Sequence, residues 1–93
     1  MRIRWTPEAA HDLSTAADYI FTDSPEAARQ VATAINRAKK SLREFPFRGQ
    51  PGLTEPSREL LVEGYPYVLV YAVVKDTVVI LNVYHSAQDR PSH

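Results

Sequence analysis

The side chains able to do acid–base or phosphate chemistry collect in the second half of the chain: Arg48, Arg58, Tyr71, His85, Gln88 and Arg90. Together they suit cleavage of RNA beside a ribose 2′-hydroxyl. That reaction needs a base, an acid for the leaving oxygen and cations around the phosphate, and it needs no metal. His85 exchanges protons near neutral pH. Arg58 and Arg48 are suited to hold a phosphate with paired hydrogen bonds. Tyr71 or Tyr84 could stack on a base, with Gln88 and Arg90 as further substrate contacts. The same residues have plainer roles. A histidine at a strand end often caps the backbone, Arg58 beside Glu59 could form a surface ion pair, and Tyr71 falls in an apolar run suited to a core.

Other chemistries lack their parts. There is no cysteine, which removes disulfides, thiolate zinc sites and thiol nucleophiles. No glycine-rich phosphate loop, Gly-x-Ser-x-Gly elbow or His-x-x-x-His pair occurs. The histidines stand at 11, 85 and 93, and the carboxylates are scattered. The expectation is no metal and no cofactor.

The elements that must position these side chains follow from spacing. Ile3 and Trp5 alternate with Arg2 and Arg4, a short half-buried strand. Thr6-Pro7-Glu8 reads as a helix start: hydroxyl cap, proline at the first position, acid in the first turn. Ala10, Leu13, Ala17 and Ile20 continue at helical spacing. Ser24-Pro25-Glu26 repeats the start signal, and Ala28, Val31, Ile35, Ala38 and Leu42 form a second stripe. Residues 7 to 22 and 25 to 44 are therefore expected to form a helical hairpin. Residues 45 to 56 hold three prolines and two of the three glycines and read as a loop. It is long for so small a domain, and Phe45 and Leu53 are expected to tack it down. Arg58–Glu63, Tyr67–Val74 and Val78–Tyr84 read as strands joined by short turns, a meander.

The fold class is thus α+β, in the order β-α-α-β-β-β. The N-terminal strand and helical hairpin are expected to pack on one face of a small, mainly antiparallel sheet, leaving the other face open. Ninety-three residues make one domain. On this topology Arg58 begins one strand and His85 ends another that runs parallel to it, two strands along. They lie at opposite ends of the sheet unless a register offset or the returning tail closes the gap.

Composition is that of a globular protein, 44% hydrophobic and 24% charged. The formal charge is zero, but unevenly placed. From Pro7 to Asp23 the charged residues are Glu8, Asp12, Asp18 and Asp23. From Arg29 to Arg48 six bases face Glu44 alone, a local positive field. The longest apolar run, Tyr67–Val74, has strand length rather than the length of a membrane span. Met1-Arg2-Ile3-Arg4-Trp5 lacks the apolar stretch of a signal peptide. The expectation is a soluble cytoplasmic protein without membrane contact.

Motifs along nearly the whole chain resemble the RelE/ParE superfamily of bacterial type II toxin–antitoxin toxins. They are Ile3-Arg4-Trp5-Thr6-Pro7-Glu8-Ala9 with Asp12-Leu13, and Tyr19-Ile20. Next come Leu42-Arg43-Glu44-Phe45-Pro46 with Arg48-Gly49 and Pro51-Gly52, then Arg58-Glu59-Leu60 with Val62. Gly64-Tyr65-Pro66-Tyr67-Val68 with Val70-Tyr71, Asp76-Thr77-Val78 with Ile80-Leu81, and His85-Ser86-Ala87-Gln88-Asp89-Arg90-Pro91 complete the set. The resemblance implies a toxin neutralised by a cognate antitoxin, which binds operator DNA through its own domain. It also implies one of two mechanisms. RelE-like members cut mRNA on the ribosome, with an arginine at the position Arg58 matches and basic, His or Tyr groups near the C-terminus. ParE-like members poison DNA gyrase by binding it. The expectation is the first, a ribosome-dependent mRNA endoribonuclease, with the gyrase inhibitor or an inactive relative that only binds its antitoxin as alternatives. After His85 the only lysine or arginine is Arg90, and no tyrosine follows, a departure from the terminal cluster of the RNases.

Overall fold

A computed structural model describes residues 1–87. The elements are β1 (Arg2–Trp5), α1 (Pro7–Asp23), α2 (Pro25–Glu44), β2 (Gln50–Pro51), β3 (Arg58–Leu61), β4 (Tyr67–Val74) and β5 (Thr77–His85). They form one sheet in the order β1-β5-β4-β3-β2. β1 runs parallel to β5, and every other pair is antiparallel.

Local chemistry sets the hairpin. Thr6 Oγ1 accepts from the Ala9 N–H at 3.1 Å and donates to the Ile80 carbonyl at 2.9 Å. One hydroxyl thus starts α1 and ties it to β5. Ser24 does two jobs within a single residue. Its N–H donates to the Ile20 carbonyl, closing α1, and its Oγ accepts from the Ala27 N–H at 3.1 Å, opening α2. Pro7 and Pro25 follow the caps, where a missing N–H costs nothing.

Alternation then divides the sheet residues between two faces. Leu60, Leu69, Tyr71, Val78 and Ile80 join Val31, Ile35 and Leu42 of α2 in the main core. Val68, Val70 and Tyr84 form a second, smaller cluster on the face away from the helices. Each of these three is at most 9% exposed, so that face is not open as the sequence suggested. β4 is central because both of its faces are apolar, which is what a continuous β-branched and aromatic run requires.

Two further details differ from expectation. Gln50 and Pro51 form a two-residue strand inside the expected loop, pairing with Glu59 and Arg58. Phe45 and Leu53 do not tack the loop down; they are 61% and 56% exposed. Arg58 and Tyr71 hold the loop instead.

One carboxylate fixes the other side of the sheet. The β4–β5 register shifts between Val70 and Tyr71. There Asp12 Oδ2, from α1, accepts from Asn82 Nδ2 at 2.9 Å and the Val83 N–H at 3.0 Å. A bulge leaves ladder groups without strand partners, and here a helix side chain supplies one.

Candidate functional site

Arg58 opens β3 directly opposite Tyr71. Its Nη2 donates to the Gly49 carbonyl at 2.6 Å and the Phe47 carbonyl at 3.0 Å. The guanidinium carbon lies 5.5 Å from the centre of the Phe47 ring, within cation–π range. The Nε is buried and has no hydrogen-bond partner. The side chain chosen as a phosphate clamp is therefore folded into its own protein, gathering the loop ahead of β3.

Tyr71 completes this latch from below. It is fully buried, and its hydroxyl accepts from the Gly49 N–H at 3.0 Å. Its ring presents no face to a base, so the stacking role considered from sequence does not hold. Gly49 is required by the close approach. A Cβ there would lie 2.6 Å from the Tyr71 hydroxyl and 2.8 Å from the Glu59 carbonyl oxygen.

His85 ends β5 opposite Tyr67. The two rings meet edge to face, with centres 5.3 Å apart. Its Nδ1 accepts from the Ala87 N–H at 3.1 Å, which requires the proton of a neutral ring to sit on Nε2. His85 also lines a hollow of about 550 Å³ with His11, Asp12, Tyr19, Tyr67 and Tyr84. Burial, and then the neighbouring Tyr19 hydroxyl, push the Tyr67 phenol above its ordinary range.

The register gives the distance between the two principal candidates. Arg58 stands opposite Tyr71 and His85 opposite Tyr67, four residues apart along β4. At about 3.4 Å per residue that is roughly 14 Å along the strand, with two strand spacings of about 5 Å across. In this structure the Arg58 Nη2 is engaged by the Phe47 and Gly49 carbonyls rather than held beside His85. Arg48 is exposed and lines a different hollow, beside Arg37, Ser41 and Glu63. Gln88 and Arg90 lie outside the described residues. Among the described residues no group of histidines and carboxylates could hold a metal ion, and no helix is long and apolar enough to cross a membrane.

Sequence reasoning missed the latch and Asp12. The only signal for the first was a glycine and an arginine around a proline-rich loop. Asp12 showed only as an acid near an apolar stripe.

The geometry is that of a small α+β domain built on a latched loop and a basic helix, with Arg58 and His85 set apart on the sheet. Residues 3–90 match the family model of the ParE toxin of the type II toxin–antitoxin system, parDE. The chain is 40% identical over 90 residues to Y4kP, a candidate toxin of Sinorhizobium fredii (strain NBRC 101917 / NGR234), covering 97% of this chain and 93% of that protein. It is 39% identical over 87 residues to Toxin RelE2 of Caulobacter vibrioides (strain ATCC 19089 / CIP 103742 / CB 15), covering 94% and 97%. Among solved structures it superposes on a chain of the chromosomal ParDE TA system from P. aeruginosa. The TM-score is 0.80 at 27% identity, over 91% of this chain and 95% of that one. The chain belongs to the ParE toxin family, within the RelE/ParE superfamily: it is a toxin of a type II toxin–antitoxin system.

Proposed function

We propose that this toxin is neutralised by a cognate antitoxin and arrests growth by binding its target without chemistry. DNA gyrase is the target, as for ParE-like members. The observation behind this reading is the separation of Arg58 from His85, four rungs along β4, with the Arg58 Nη2 engaged by two loop carbonyls. A binder needs no convergence of the pair, whereas an RNase working through it would need Arg58 to leave those carbonyls. The toxin works in the cytoplasm, touches operator DNA only through the antitoxin, and needs neither metal nor cofactor.

The 39% identity to a protein named Toxin RelE2 favours a second reading, a ribosome-dependent mRNA endoribonuclease. Arg58 would release the Phe47 and Gly49 carbonyls to clamp the phosphate. His85 would act as acid or base, with Arg48, Gln88 and Arg90 placing the strand.

Expression of the toxin alone, with DNA and protein synthesis pulse-labelled separately, separates the two. Filamentation, a DNA-damage response and trapped gyrase–DNA complexes while translation continues are the expected result. A prompt fall in translation with mRNA cut in frame would refute the binding reading.

A further inference from the structure

We infer that the hollow between α1 and the adjoining ends of β4 and β5 binds a small arylalkylamine, its ammonium on Asp12 and its apolar body against Tyr67 and Tyr19. This is independent of the toxin's target and of its antitoxin.

The hollow follows from how α1 lies on the sheet. Thr6 is tied to the Ile80 carbonyl, and Asp12 to Asn82 and Val83. Tyr19 is a neighbour of the Tyr67 hydroxyl, and Tyr67 stands opposite His85. The helix therefore runs along β5 from Ile80 to His85. Asp12 and Tyr19 line the helix wall of a space of about 550 Å³, and Val83, Tyr67 and His85 line the sheet wall. That volume is within the range of small-molecule sites.

One carboxylate oxygen in this wall is left over. Asp12 Oδ2 takes both of the bonds that hold β5. Among the described residues Oδ1 has no donor, and it is not sealed in. No lysine or arginine lines the hollow. Along α1 the other charged residues are Glu8, Asp18 and Asp23, again without lysine or arginine. The field there is negative, so it repels phosphates and draws cations.

The remaining surface is aromatic. Tyr67 and His85 meet edge to face with centres 5.3 Å apart, so each ring limits the other. Tyr67 is 8% exposed, whereas Tyr19, at 76%, is free to close over a guest. His85 lies two residues past Val83, so the rings stand roughly 7 Å along the strand from the carboxylate. A short alkyl chain between an ammonium and a ring spans that distance. A metal ion would want more ligands, and among the described residues no group of three histidines or carboxylates gathers. A neutral apolar guest would leave the Asp12 oxygen unused, and an inorganic cation would leave the rings unused. An arylalkylamine meets both, with the ring faces adding to the hold on the cation.

The probe is phenethylammonium, titrated into the full-length toxin and followed by NMR shifts and thermal unfolding. The shifts should saturate and concentrate at Asp12, Val83, Tyr67 and His85, and the melting temperature should rise with ligand concentration. Asp12→Asn keeps a carbonyl oxygen for Asn82 and Val83 but turns the open oxygen into an amide group, and should weaken binding about tenfold. Tyr19→Ala, at an exposed position, should weaken it about two- to fivefold. Glu63→Gln, in the separate hollow beside Arg37 and Arg48, removes one negative charge and should change nothing. If Asp12→Asn does not fold, the wild type decides: uncharged 2-phenylethanol and ringless ethylammonium should each bind at least about tenfold more weakly than the probe. Shifts that fail to saturate, equal binding of either truncated probe, or equal weakening by Glu63→Gln would each overturn the proposal. So would tighter binding of N-acetyl-lysine amide, which would give the hollow to a side chain of a protein partner.

Discussion

Replacing Arg58 by alanine discriminates between a clamp for substrate and a latch for the loop. The side chain makes two hydrogen bonds to backbone carbonyls and stacks on Phe47. Hydrogen bonds from a charged donor contribute about 1.5–3 kcal/mol each, and an exposed cation–π contact about 0.5–1 kcal/mol. Water can replace part of this at a half-exposed site, so Arg58→Ala should cost about 2–4 kcal/mol. That is a large share of the roughly 5–15 kcal/mol that holds a domain together. At about 4–8 °C per kcal/mol for a domain of this size, the melting temperature should fall by roughly 10–25 °C. The assay is thermal and urea unfolding of the purified toxin followed by circular dichroism. Arg58→Lys should recover less than half of the loss, since one ammonium cannot bridge both carbonyls and stack. A residue held ready for substrate behaves in the opposite sense: its removal leaves stability unchanged or improves it. An unfolding midpoint within about 0.5 kcal/mol of wild type would refute the latch. The result also bears on any toxicity assay, because loss of toxicity in Arg58→Ala is no sign of catalysis if the loop has come loose.

Three further outcomes follow from the same geometry. Gly49→Ala should destabilise by about 1–3 kcal/mol through overpacking against the Tyr71 hydroxyl and the Glu59 carbonyl; Tyr71→Phe in the same chain should relieve part of that cost, read by urea midpoints. Asp12→Ala leaves the Val83 N–H and the Asn82 amide without their acceptor and should cost about 1–3 kcal/mol, with the Val83 amide losing exchange protection before the rest of β5. The raised Tyr67 pKa means that the folded state holds this proton more tightly than the unfolded state. Its stabilising contribution is complete below the ordinary tyrosine range near pH 10 and is lost as the pH rises through the folded value; alkaline unfolding should therefore be shallower in Tyr67→Phe.

What could be read from the sequence was whatever a short window determines. Thr6-Pro7 and Ser24-Pro25 each carry a cap and a first-turn proline in adjacent positions, and the helices begin at Pro7 and Pro25 as expected. The apolar run Tyr67–Val74 has no polar face to turn to water, and it became the central strand. The two-residue β2 escaped because so short a strand leaves no alternation, and Pro51 argues locally against one.

The site was harder for a physical reason. Arg58 and His85 were singled out by residue type, but function depends on where hydrogen bonds between distant positions send a side chain. Arg58 is drawn to carbonyls nine and eleven residues earlier, and Asp12 to groups about seventy residues later. No spacing rule reaches that far. The charge asymmetry of Arg29–Arg48 was visible from composition; that Leu61 lies beyond β2 was not, because it depends on β2 beginning only at Gln50. The latch and this end of the pairing are linked. Arg58, Tyr71 and Gly49 fix the chain at the loop's end, and that hold carries β2 past Glu59 but leaves Leu61 uncovered. A latch strong enough to govern stability therefore also sets where β2 stops covering β3.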